Sequence, residues 1–208
     1  ALRAQGLDTH VGGVTAYSTL GWFADPLLNT MLRHGETYIA ALVFHELAHQ
    51  RVFLRDDAAF NEAFAVAVET SGVTRWLKHR GAPAALREYA AEQGRTRDFL
   101  ALVARSRDAL KAVYEGPGSD DRKRAAKAAV IADLRARYRR IRDGRWHGYR
   151  GYDGWFEGPI NNAKLSATAI YHDLVPAFAP PLERWAGDNE RFYRTGEALG
   201  ALPEGGRA

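Results

Sequence analysis

His45-Glu46-Leu47-Ala48-His49 is the segment whose residue types and spacing can do chemistry. On an α-helix, residues i and i+4 differ by about 400°, so the two imidazoles project about 40° apart on one face. Two ring nitrogens placed in that way can reach one Zn²⁺ at about 2.0–2.1 Å. Glu46 stands beside the first imidazole, where a carboxylate serves as general base toward a water at the metal. The flanks Ala40, Ala41, Leu42, Val43 and Phe44 are apolar. Two histidines and a carboxylate in such a helix are costly unless paired or metal-bound. The plainer alternative is two core histidines bonded to backbone carbonyls.

A catalytic zinc site needs a third protein ligand and an open fourth position. The extended pattern with a glycine three residues after the second histidine fails, because Val52 stands there and no His follows it. A carboxylate on a second helix is the expected ligand, and Phe60-Asn61-Glu62-Ala63-Phe64-Ala65 offers Glu62, 13 positions after His49. Glu69 lies seven residues further, a rotation of about 700°, within about 20° of the same stripe. One carboxylate would bind metal while the other orients a ligand imidazole through its second nitrogen. Glu62 is the expected ligand and Glu69 the orienting group. A surface salt bridge of Glu69 with Arg75 or Lys78 is the alternative.

These residues need elements to hold them. Residues 36–53 contain no Gly or Pro and are apolar on nearly every face, which predicts a helix buried inside a domain. Asp56 or Asp57 is placed to cap a second helix over 60–79, ended by Gly81 and Pro83. Residues 83–114 read as helix, 115–119 as a break, and Ser119-Asp120-Asp121 as the cap of a basic helix to about Ile141. The two form an expected helical hairpin within 84–143. Residues 144–163 form a structured aromatic loop, 164–178 another helix, and the last dozen residues a frayed end. Upstream, Thr15, Tyr17 and Thr19 alternate with smaller residues in 11–23, a strand signal. The expected class is α+β, mostly helical, in one zincin-like catalytic domain over 1–208.

Composition narrows the choice. The 208 residues are 46% hydrophobic and 26% charged, which suits a packed core and excludes wholesale disorder. There is no cysteine, so a disulfide scaffold, a thiolate zinc site and a thiol nucleophile are all excluded. The net charge of +4 is local: residues 119–145 hold ten Lys/Arg against four Asp. Basic residues spread around the helix circumference describe a solvated face, so no nucleic-acid partner is expected. Contact with an anionic membrane surface is the lesser alternative.

HELAHQ followed by FNEAFAVAVETSGVTRWL resembles the bacterial family of predicted aminopeptidases, of gluzincin type. VGGVTAYSTLGWFADPLLNTML upstream and YDGWFEGPINNAKLSATAIYHDLVPAF downstream resemble it too. The resemblance spans about Leu7 to Tyr193. It implies a zinc-dependent peptidase acting on peptide substrates, with His45, His49 and Glu62 as ligands and Glu46 as base. Members are commonly longer at the N-terminus and carry an export or lipoprotein signal. The resemblance therefore implies a periplasmic or cell-envelope location, membrane proximity through that N-terminal part, and a chain that lacks it. The second helix is also similar to that of lethal-factor-like peptidases, which place a catalytic Tyr seven residues before the ligand Glu. Arg55 occupies that position here, so the role must pass elsewhere.

Candidates for the oxyanion donor are Tyr171, ranked first, His172 and Tyr152. Tyr17 and Ser18 lie on a segment that could add an extended peptide as one more strand. Asn161 and Asn162 could bind substrate backbone or simply cap the next helix. Glu157 and Asp153 are candidates to hold a free α-amine. A catalytically silent zincin-like binding domain is the competing function, and a basic helical interaction module the third.

Overall fold

The computed structural model of the chain describes residues 2–12, 28–169 and 188–200. A short 3₁₀ helix (Leu2–Gln5) precedes α1 (Asn29–Leu32), α2 (Glu36–Arg51), α3 (Ala58–His79), α4 (Pro83–Glu115) and α5 (Asp120–Asp143). After these come α6 (Asp153–Glu157), α7 (Asn162–Ala169) and α8 (Asn189–Gly200). The boundaries have local causes. Gly35 precedes α2 at φ 84, a conformation that suits glycine. The Asp57 carboxylate accepts the Phe60 N–H at 3.0 Å and caps α3. Gly81 at φ 62 ends α3, with the Ala82 N–H bonded back to Leu77 O at 3.1 Å. The Ser119 hydroxyl accepts from the Arg122 N–H and starts α5.

All regular structure among the described residues is helical, with no strand and no sheet. The expected α+β class with an N-terminal strand region is therefore corrected to a helical architecture. Val11 and Gly12 carry no regular structure, and residues 13–23 of the expected strand lie outside the described residues. Just upstream, the polar groups of residues 8 and 9 find partners other than a neighbouring strand. The Thr9 carbonyl accepts from the Asn161 side chain at 3.0 Å, and the Asp8 carboxylate takes the Asn162 N–H at 3.0 Å and Lys127 at 2.8 Å. The polar groups of this stretch are bonded to side chains and a helix start rather than to a β-ladder. No helix among the described residues is long and apolar enough to cross a membrane.

The chain forms two compact units, one of residues 12–91 with 170–208 and the other of 1–11 with 92–169. In the first, α3 is the central element. Phe60, Ala63, Phe64, Ala67 and Val68 pack with Ala48 and Val52 at the end of α2 and with Phe192 of α8. Helix α8 falls where the sequence shows no clear signal. Its docking is specific all the same: the Phe64 and Phe192 rings stack at 5.3 Å, and a Cβ at Gly196 would lie 2.5 Å from the Phe64 ring. Further along α3, Val73 and Leu77 pack with Tyr89, Phe44, Ala40 and Ala41. Helix α2 is less enclosed than its composition suggests, since Val43 and Leu47 are 39% and 52% exposed.

In the second unit, Phe99, Leu102, Val103 and Leu110 of α4 meet Leu134 and Tyr138 of α5. Trp146 and Phe156 of the aromatic segment complete that core, and α6 forms where the sequence predicts only loop. The Tyr138 ring stacks on Phe156 at 3.8 Å while its hydroxyl donates to Asp153 at 2.5 Å. Arg135 donates to the carbonyls of Phe156 and Gly158, and Lys164 to that of Trp155. Part of the basic charge of α5 is paired within the unit, through Lys127–Asp8, Arg137–Asp133 and Arg142–Asp153, and Arg145 just beyond it pairs with Asp98.

Two expectations follow. Gly→Ala in a helix interior ordinarily stabilises by about 1 kcal/mol. At Gly72, however, the new Cβ would lie 2.7 Å from Phe44 Cγ, so Gly72→Ala should destabilise by ~1–3 kcal/mol in urea unfolding. In a Phe44→Ala background the same change should become neutral or stabilising. The Asp153 carboxyl is held below its usual range, first by the Tyr138 hydroxyl and then by Arg142. A carboxyl depressed in the folded state contributes stability that is present above its unfolded pKa of about 3.9 and lost as pH falls through the folded value. Thermal unfolding from pH 7 to 2.5 should therefore fall less steeply at the acid end for Asp153→Asn than for wild type.

Candidate metal centre

Helix α2 lies along α3, and the shared face carries the polar residues that the sequence singles out. His45 Nε2 is 3.3 Å from Glu62 Oε2, and His49 Nε2 is 3.7 Å from Glu62 Oε1. On its other side, His45 Nδ1 is 3.1 Å from Glu69 Oε2. The imidazoles sit edge to face at 4.9 Å. His49 is only 7% exposed, and His45, Glu62 and Glu69 are half-buried. The register of α3 is held at its start by Asn61, a buried residue whose role sequence reasoning misses. Its Oδ1 accepts the Leu54 N–H at 2.8 Å and its Nδ2 donates to the Leu54 carbonyl at 2.7 Å. This pair of hydrogen bonds to the linker backbone fixes the position next to Glu62. The available signal is an Asn, a modest helix former, inside the first turns of a helix and beside a ligand carboxylate.

The electrostatics ask for positive charge. Burial by itself lowers the pKa of His45, but the Glu62 and Glu69 carboxylates outweigh it and lift the imidazole to about 9. His49 moves the opposite way, lowered by burial and by the neighbouring His45. One cation is thus favoured among two imidazoles and two carboxylates, and a second is resisted.

Donor chemistry and spacing fit a metal ion. His45, His49 and Glu62 each offer one ligand atom, all within 4.8 Å of one another. Donors at about 2.0–2.1 Å around a tetrahedral ion lie about 3.4 Å apart. The 3.3 Å from His45 Nε2 to Glu62 Oε2 is close to that edge, and His49 Nε2 lies 3.7 Å from the other oxygen of the same carboxylate. His49 Nδ1 is buried and has no hydrogen-bond partner among the described residues. Its Nε2 is accordingly the ring nitrogen that meets Glu62.

Glu46 sits beside His45 on α2, half-buried, and its charge is felt at His49. Tyr17, Ser18, Tyr171 and His172 lie outside the described residues. The remaining candidates belong to the other unit, where Asn161, Asn162, Tyr152 and Asp153 are engaged. Asn161 Oδ1 accepts the Lys164 N–H at 2.9 Å, capping α7, and Asn162 Oδ1 accepts from the Tyr114 hydroxyl at 2.9 Å. The Tyr152 hydroxyl meets Thr96 Oγ1 at 2.9 Å, and Asp153 is held by Tyr138 and Arg142. Glu157 is exposed at the end of α6.

Wild type should bind one divalent ion per chain in a competition titration with a chromophoric chelator. Glu62→Ala should weaken it by more than the ~10–100-fold that loss of an outer partner costs. No curated protein and no solved structure matches the chain. A family model described as "Putative aminopeptidase" matches residues 1–208, and the chain belongs to that family of peptidases.

Proposed function

We propose that the chain is a zinc-dependent peptidase of the HExxH-plus-Glu, or gluzincin, type that removes residues from the free N-terminus of peptides. The observation that carries this reading is the meeting of His45 and His49 with Glu62 across α2 and α3, with Glu46 beside the first of them. Family membership supplies the peptidase class.

Zinc bound there supplies a Lewis acid that polarises a peptide carbonyl and acidifies water. The protein's part is positioning and proton transfer. His45, His49 and Glu62 come from two packed helices, so the donor set is largely arranged before a ligand arrives. Glu46 takes a proton from the attacking water as its oxygen bonds to the carbonyl carbon, and passes a proton to the amine nitrogen as the C–N bond breaks. Glu46 lies three residues before His49 on α2, and its charge acts on that imidazole.

With the zinc-loaded chain and a library of short peptides, Glu46→Gln should lower kcat/KM by about 10²–10⁴-fold while zinc content stays at one per chain. Peptides with acetylated N-termini should resist cleavage if the free amine is recognised. Zinc binding without turnover of any library peptide would instead favour a silent binding domain.

A further inference from the structure

We propose that Glu69 is a positioning residue for the metal: it takes the Nδ1–H of His45 and so keeps the Nε2 lone pair of that ring directed at the ligand face. This rests on the zinc reading above and deepens it. A neutral imidazole carries its single proton on one of two nitrogens, and the hydrogen bond made by one decides what the other can do. Glu69 Oε2 lies 3.1 Å from His45 Nδ1, while His45 Nε2 faces Glu62 Oε2 at 3.3 Å on the opposite side of the ring. Glu62 and Glu69 share one stripe of α3, seven residues apart, so one helix presents the ligand to one edge of the imidazole and the orienting group to the other.

The two histidines are unequal in this respect. His49 is the more buried, and its Nδ1 has no hydrogen-bond partner among the described residues. Its one carboxylate neighbour on α3 is Glu62, 3.7 Å from Nε2, so no carboxylate meets Nδ1 among the described residues. His45 is less enclosed, and the Glu69 bond is what fixes its orientation. Removing Glu69 leaves the three donors in the chain but frees one of them to rotate and to place its proton on the wrong nitrogen.

The test compares wild type, Glu69→Gln and Glu69→Ala for zinc affinity by chelator competition and for the visible spectrum of the Co²⁺-loaded chain. Thermal unfolding of the metal-free proteins confirms that each is folded. Glu69→Ala should weaken zinc by about 10–100-fold and alter the Co²⁺ bands. Glu69→Gln retains an amide oxygen that can accept from Nδ1, so it should recover most of the affinity and the wild-type bands. Zinc affinity within twofold of wild type in both variants, or equal losses in both, would overturn the positioning role while leaving the metal site intact. A folded wild type that binds no zinc would overturn the zinc reading and this inference together. Glu69-dependent zinc binding in a chain that cleaves no peptide would support the positioning role and overturn only the peptidase reading.

Discussion

Four ionisable side chains share the face between α2 and α3, and most of what is distinctive in this unit follows from placing them there. His45 lies between two carboxylates, and His49 is nearly enclosed beside it. Charged groups drawn out of water are tolerated only when opposite charge or hydrogen bonds replace the lost hydration. The helices must therefore be held close enough for the pairs to form and in register to within a fraction of a turn. Gly72 allows the approach, since its missing Cβ leaves room for the Phe44 ring. Asn61 sets the register from the other end by bonding both backbone groups of Leu54.

The apolar packing behind the polar face serves the same constraint. Phe64 is fully buried on α3 two residues after Glu62, and α8 closes over it through Phe192 and through Gly196, whose missing Cβ leaves room for the Phe64 ring. Arg51, two residues beyond His49, pairs with Glu190 at 2.9 Å and lies over the Tyr193 ring at 5.7 Å. These exposed contacts are individually weak. They nevertheless join the end of the histidine-bearing helix to the element that covers the core of its partner. Apolar contacts between the two helices, Ala48 and Val52 with the Phe64 cluster and Phe44 with Val73 and Leu77, hold α2 against α3 as well.

The other unit uses its charge differently. Its ten basic residues between 119 and 145 suggest an outward-facing cationic surface when counted. In three dimensions many of them are taken up by carboxylates and by carbonyls at the end of α6. Net charge is a sum over composition and says nothing about pairing, which depends on which acidic groups and helix ends the fold brings near.

Much of the candidate site was legible in the chain itself. The spacing within 45–49 and the step from Glu62 to Glu69 are properties of helical period, and period survives any packing arrangement. The caps at Asp57 and Ser119 were legible for a similar reason, because the chemistry is local. The α+β expectation shows the limit. Alternation over a few residues is compatible with a strand but needs a partner ladder to become one, and among the described residues no strand is present to supply it. Helix α8 and the role of Asn61 were missed because both depend on what they dock against. Sequence alone determined which side chains share a helical face and therefore which could meet a common ion. Only the tertiary structure decided that Glu69 meets His45 rather than Arg75 or Lys78, and that His49 Nδ1 has no such partner among the described residues. That choice belongs to the angle and register of α2 on α3, which local periodicity does not contain.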